Sequence, residues 1–337
     1  MRAQSEGGLI PSLELAVRKL ERWVVAVLLA VSASGALPQG PAWPAKPVHI
    51  VVSLTPGSAT DILTRAVSER LSAQLGQPVI VENRPGASTT IAAALVAKAE
   101  PDGYTLLATS SAHTVAPFLY PGLSYDTARD LAGVAPLANL PTVLVVPASK
   151  GFKTLADLVA AAHARPGSIN FGSAAASTQL NAERFRRSAK MDAVHVPFRG
   201  APEALTEVVA GRIDFYFSPI APALPLLREG KVLALAVGSS KRTSVLPDLP
   251  TTIEAGFPDS DYNFWVGLFA PAKTSRSVIE RLHRATSAAL QSPEVRERLP
   301  KLGAEPMAMT PADFDALVRE ELRTNAMLVK AAGIKAN

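Results

Sequence analysis

Not one cysteine occurs among the 337 residues. Disulfide staples, thiol nucleophiles and a lipid-bearing cysteine tether are therefore excluded. Histidine is scarce as well. The five, His49, His113, His163, His195 and His283, are isolated in sequence without metal-ligand spacing, so each reads as a core or surface residue rather than a ligand. The signatures of catalysis are missing too: there is no GxSxG elbow, Walker loop, GxGxxG or HExxH, the local patterns that place nucleophiles, phosphates and zinc. A Ser/His/Asp group assembled only in space is left open, because such triads follow no sequence order. No metal or cofactor is called for. Basic residues are scattered and form no stripe interleaved with aromatics, which argues against nucleic acid as a partner.

Long apolar runs are also rare. One, Trp23 to Val31 (WVVAVLLAV), follows Arg18, Lys19 and Arg22 and precedes the small residues of SASGA. It is short for a bilayer span and suits a signal peptide over residues 1–36, cleaved near Ala36, with export to the periplasm. The alternatives are an uncleaved anchor or an extension arising from a misplaced start codon.

What remains is ample apolar material, 48% of the chain, enough for one large domain or two lobes. The net charge of +5 falls to +4 without residues 1–36, which hold four Lys/Arg and three Asp/Glu. So mild an excess is compatible with small anionic ligands.

Short apolar runs alternate with segments of helical period, the pattern of parallel βα units. Strands are expected at Val48 to Leu54, Val79 to Glu82, Tyr104 to Thr109, Thr142 to Val146, Ile169 to Phe171, Ala193 to Val196, Ile213 to Phe217, Leu233 to Val237 and Trp265 to Ala270, none of them long. Ile62, Leu63, Ala66, Val67, Leu71 and Leu75 share one helical face closed by Gly76, a suitable C′ residue. Thr154 is placed to cap the helix carrying Leu155, Leu158, Val159 and Ala162. Two long amphipathic helices follow, over Ser277 to Leu290 and Pro311 to Ala332.

Two turns invite a functional reading. IVVSLTPGSATDIL sets a Pro-Gly turn between a strand end and a helix start, where first-turn N–H groups lack intrahelical partners and the dipole is positive. Such an end suits an anion. Gly57 permits close backbone approach, the hydroxyls of Ser58 and Thr60 add donors, and Asp61 reads as a cap or loop brace. NFGSAAASTQL, Asn170 to Leu180, repeats the design. Facing each other, the turns would form a two-jaw clamp on a carboxylate; apart, both are ordinary βα connections.

The wording of the chain then becomes specific. KPVHIVVSLTPGSATDIL, GQPVIVENRPGAS, AEPDGYTLL, YPGLSYDTARDLAGVAPLA, VHVPFRGAPEAL, LPDLPTTIEAGFP and GLFAPAKTS occur in order, with a closing AAGIKAN. From residue 45 onward the chain resembles the Bug family of periplasmic solute receptors, the binding proteins related to tripartite tricarboxylate transporters. The resemblance implies a type II periplasmic-binding-protein fold of class α/β, two α/β lobes joined by two crossing strands with a ligand cleft between them. Lobe 1 would take residues 46–137 plus 266–337, and lobe 2 residues 138–265.

It also implies a non-enzymatic, monomeric receptor for a small organic acid, working with membrane transporter subunits. In a second reading the receptor fold signals to a membrane sensor kinase. The first family loop, Pro-Phe, one variable residue, Pro-Gly-Gly, two more and Asp, corresponds to Ser53 through Asp61. Leu54, Pro56, Gly57, Ser58, Ala59, Thr60 and Asp61 are thereby implied at the ligand, with Leu54 in place of the aromatic lid and Ser58 in place of the second glycine. Ser173, Ala174, Ala175, Ser177 and Thr178 follow from the second loop, which is shorter than the family's and carries Gln179 where His is common. Matched positions add Ser110, Ser111 and His113 from TSSAHT, Phe198 from VPFRG and Ser218 after DFYF.

Overall fold

The computed structural model describes residues 43–334, so the signal peptide read over residues 1–36 lies outside the described residues. Contacts divide the chain into Met1–Ala45 and Lys46–Asn337. Both sheets belong to the second unit.

VHIVV, strand β1 (Val48–Val52), is nearly all apolar because neighbours cover both of its faces. It pairs in parallel with β2 (Val79–Asn83) and β3 (Thr105–Ser110). β10 (Phe264–Pro271) joins β3 antiparallel and also pairs antiparallel with β4 (Leu131–Leu140), which carries the short β11 (Glu305–Pro306). The first lobe is thus built on a six-stranded sheet in the order β11-β4-β10-β3-β1-β2. The second lobe holds β5 (Thr142–Pro147), β6 (Ile169–Ser173), β7 (Ala193–Pro197), β8 (Phe215–Pro219) and β9 (Val232–Val237), in the order β7-β6-β8-β5-β9. There β6 is parallel to β7 and β8, while β5 is antiparallel to β8 and β9.

Both sheets are mixed, a departure from the purely parallel units expected. Apart from the short β11, the antiparallel strands are the two the chain enters on crossing between lobes: β4 passes through Pro141 directly into β5, and the chain returns after β9 to enter β10. Strands are also longer than expected, with ten residues in β4 and eight in β10. β4 escaped the sequence reading because Pro136 argues against a central strand. The sheet accommodates it at an irregularity: Val266 faces Ala138 but Gly267 faces Pro136, so Leu137 is skipped.

Helices pack against the sheets by their apolar stripes. α1 (Ala59–Leu75) buries Leu63, Ala66, Val67, Leu71 and Leu75, and it ends at Gly76 with φ +70°. α2 (Thr90–Ala97) and α3 (Ala112–Leu119) complete the N-terminal part of this lobe. In the second lobe, α4 (Leu155–Ala164) starts from a capping box of Thr154 and Asp157, followed by α5 (Ala176–Ser188), α6 (Ala201–Val209) and α7 (Ile220–Arg228). α8 (Arg276–Gln291), α9 (Pro293–Lys301) and α10 (Pro311–Ala332) return to the first lobe. Among the described residues no helix is long and apolar enough to cross a membrane.

The alternation of β8 splits the second core between two faces. Phe215 and Phe217 meet Phe185 of α5 edge-on, at centroid distances of 5.9 and 5.7 Å, while Tyr216 packs on the other face with Ile220 and Leu224. In the first lobe Trp265, Phe269 and Phe314 form the aromatic centre. Gly267 is required there, since a Cβ would overlap the Phe314 ring.

Candidate ligand-binding cleft

The turn after β1 is held by its own side chains. Ser58 takes extended backbone (φ −68°, ψ 161°) and its Oγ accepts the Asp61 N–H at 3.3 Å, the usual N-cap bond. The Asp61 carboxylate is 4% exposed. Its Oδ2 accepts the Gly57 N–H at 3.0 Å, and its Oδ1 accepts from Arg65 Nε at 2.9 Å and Asn83 Nδ2 at 3.0 Å. The Ser58 N–H donates to Thr55 O at 3.1 Å. Asp61 therefore braces the turn, and the amides of Gly57 and Ser58 are engaged within it. Those of Ala59 and Thr60 have no partner among the described residues.

The turn after β6 behaves similarly. Thr178 Oγ1 accepts the N–H groups of Ala174 at 3.0 Å and Ala175 at 3.2 Å, and itself donates to Ala175 O at 3.0 Å. The Ala176 N–H leaves its lobe altogether and donates to Ser88 Oγ of the first lobe at 2.6 Å.

Ser88 belongs to a segment to which sequence reasoning assigned no ligand role. After Arg84-Pro85, Gly86 has φ +142°, and Ala87, Ser88 and Thr89 follow at +41°, +50° and +82°. Three consecutive non-glycine residues at positive φ store strain of about 1 to 2 kcal/mol each, the kind of local cost found at binding sites. The N–H groups of Gly86, Ala87 and Ser88 make no hydrogen bond to any described residue.

These three segments meet at one cavity of ≈ 310 Å³. From the first lobe its walls are Leu54, Gly86 to Thr89 and Tyr120; from the second, Ser173 to Ala176, Gln179, His195, Pro197 to Arg199 and Glu203. Leu54 and Phe198 supply apolar surface. Glu203, at the start of α6, accepts the Arg199 N–H at 3.0 Å. His195 stacks on Phe171 with centroids 5.2 Å apart, and its Nε2 lies 2.7 Å from Ser173 Oγ. Burial lowers its pKa to about 4, so the ring is neutral at pH 7 and offers one donor and one acceptor. Next to the cavity the lobes touch: a Cβ on Gly200 would overlap Thr55 Oγ1 and lie 2.9 Å from Thr55 Cβ, and one on Gly57 would meet Pro202 Cγ at 3.3 Å.

Of the residues named from sequence, the cavity gathers Leu54, Ser173, Ala174, Ala175 and Phe198. Pro56, Gly57, Ser58, Ala59, Thr60, Asp61, Ser177 and Thr178 stand in the same two turns but outside its walls. Ser110, Ser111 and His113 are fully buried in the first lobe, where Ser110 Oγ accepts the Ala112 N–H at 3.3 Å. His113 packs between Tyr125 and Phe269, and neither ring nitrogen has a partner among the described residues. Ser218 donates to its neighbour's carbonyl, Pro219 O, at 2.9 Å. Among the described residues no three His, Asp or Glu side chains gather as a metal site.

Residues 63–334 match the family described as "Tripartite tricarboxylate transporter family receptor". The chain is 32% identical over 316 residues to Protein BugT of Bordetella pertussis, covering 93% of this chain and 97% of that one. Among solved structures it resembles an R. palustris protein bound to adipate, with a TM-score of 0.84 and 32% identity, covering 88% of this chain and all 100% of the other. MatC from Rhodopseudomonas palustris, with bound malate, gives a TM-score of 0.81 and 34% identity, over 85% and 100% of the two chains.

Proposed function

Because the chain belongs to the tripartite tricarboxylate transporter receptor family, we propose that it is exported, closes its lobes on a small organic carboxylate, and presents that acid to a membrane transporter. In this reading residues 1–36 are a signal peptide, residues 46–137 with 266–337 form one jaw, and residues 138–265 form the other, apart from their two ends, Ala138 to Leu140 and Phe264 to Trp265, which pair within the first sheet. The acid is a short dicarboxylate of the size of malate or adipate, and the cleft binds it without a chemical step.

The observation that carries the reading is the wall formed by Gly86, Ala87 and Ser88, three successive residues that line the cavity and whose N–H groups have no partner among the described residues. Consecutive backbone donors of this kind make anion-binding concavities. Each hydrogen bond to a charged group contributes roughly 1.5 to 3 kcal/mol. Three of them, set against desolvation and ordering, are enough for a micromolar-class ligand.

Thermal denaturation of the purified protein against a panel of mono-, di- and tricarboxylates tests this. A ligand at a hundred times its dissociation constant stabilises the folded state by about 2.7 kcal/mol. The expected result is a raised melting temperature with short dicarboxylates, together with a smaller radius of gyration. A panel in which no acid shifts the transition would overturn the proposal.

A further inference from the structure

Two hydroxyls of the cavity wall are already committed. Ser173 is bonded to His195, and Ser88 to the Ala176 amide. Gln179 is not, nor is the Thr89 hydroxyl, which is buried without a partner among the described residues; of the two, only Gln179 carries both donors and an acceptor on a flexible stem. It borders the cavity from the first turns of α5, it is 9% exposed, and its side-chain amide has no hydrogen-bond partner among the described residues. Its backbone is fixed by the N–H bond to Ala175 O at 3.0 Å, so the side chain is presented from a rigid element.

A primary amide offers a guest both a carbonyl acceptor and N–H donors. A carboxylate can only accept, so it satisfies the N–H donors and leaves the carbonyl facing negative charge. A hydroxyl both donates and accepts, and can engage either end of the amide. We propose that Gln179 is the specificity-determining side chain of the cleft and selects carboxylates that also carry a hydroxyl group. This rests on the carboxylate reading above and adds to it a substituent and the residue that recognises it.

The test is isothermal titration of the wild type and Gln179→Met with two matched pairs, succinate against malate and adipate against 2-hydroxyadipate. Methionine keeps the length and helix preference of the side chain and removes its polar end. The wild type is expected to prefer the hydroxylated member of at least one pair by roughly 10- to 100-fold. In Gln179→Met that ratio should collapse to within about threefold while the unsubstituted acid still binds. If the methionine variant does not fold, Gln179→Asn, which withdraws the amide by one methylene, should still reduce the ratio. Binding with no preference in the wild type, or with the same preference in the variant, overturns the role of Gln179 and leaves the carboxylate reading intact. No binding of any of the four acids to the wild type overturns both.

Discussion

Ser88 Oγ lies 2.6 Å from the backbone nitrogen of Ala176, so a side chain of the first lobe caps a helix start of the second. Any opening of the cleft would have to break this bond. Ser88→Ala removes it, at a cost to the closed form of about 1 kcal/mol. The ligand-free protein should then show a larger radius of gyration in small-angle scattering, and carboxylate affinity should fall roughly fivefold. Unchanged scattering and affinity would show that the contact does not hold the lobes together.

Gly200→Ala should wedge the cleft. Its backbone is extended (φ −171°) and tolerates any residue, but the new Cβ would crowd Oγ1, Cβ and Cγ2 of Thr55 together, and no rotation of the threonine relieves all three. Overpacking of this kind costs about 1 to 3 kcal/mol, and here it falls on closure. Ligand affinity should drop about tenfold or more with little change in melting temperature. Adding Thr55→Gly should restore it; a double variant as weak as the single one would refute the steric account.

His113→Phe should stabilise the protein. The imidazole is fully buried with both nitrogens unpartnered among the described residues, a cost of about 1 to 3 kcal/mol that a phenyl ring avoids. Burial lowers its pKa from 6.5 to about 4, so the folded state resists protonation that the unfolded chain accepts. Stability due to this group is present above pH 6.5 and is lost as pH falls towards 4, by about 3 kcal/mol in all. Chemical denaturation at pH 7 and pH 5 should therefore show a gain that grows in acid. Because His113 lies outside the cavity, carboxylate affinity should stay the same.

The carboxyl of Glu321 on α10 titrates in the opposite sense. Its Oε1 accepts from Trp265 Nε1 and its Oε2 from Thr114 Oγ1, both at 2.9 Å. Burial outweighs these two donors and pushes its pKa up from 4.5 to about 7. Its contribution is complete below pH 4.5 and declines as pH rises through 7. Glu321→Gln can keep both contacts, since the threonine hydroxyl can accept from the new amide. It should match the wild type near pH 5 and exceed it at pH 8. Equal stability of the two proteins across that range would disprove a native carboxyl held protonated.

The residues that were legible in the sequence are those whose local chemistry has one outcome. Gly76 ends α1 in the left-handed region, and Thr154 caps α4 with its reciprocal partner Asp157. The Pro-Gly and small-hydroxyl turns point to the two loops that meet at the cavity because Gly and Ser are what such turns demand. Ala87, Ser88 and Thr89 gave no such signal. None of them prefers positive φ, and a β-branched threonine disfavours it, so tertiary packing alone sets that wall. His195 reads as one isolated imidazole until β6 and β7 bring it beside Ser173. Gln179 was visible only as a departure from a familiar pattern, and its lack of partners needed the three-dimensional arrangement. Pro136 concealed β4 because the bulge that tolerates it depends on a strand more than a hundred residues later.

That distant pairing bears on the order in which the molecule assembles. β10 sits between β4 and β3, whereas all five strands of the other sheet have been made by Val237. A chain delivered N-terminus first can therefore finish its inserted half while the half that began earlier still has a gap in its middle. Domains are usually completed in the order they emerge; here the first to start is the last to close, and its exposed strand edges must wait for residues beyond 263.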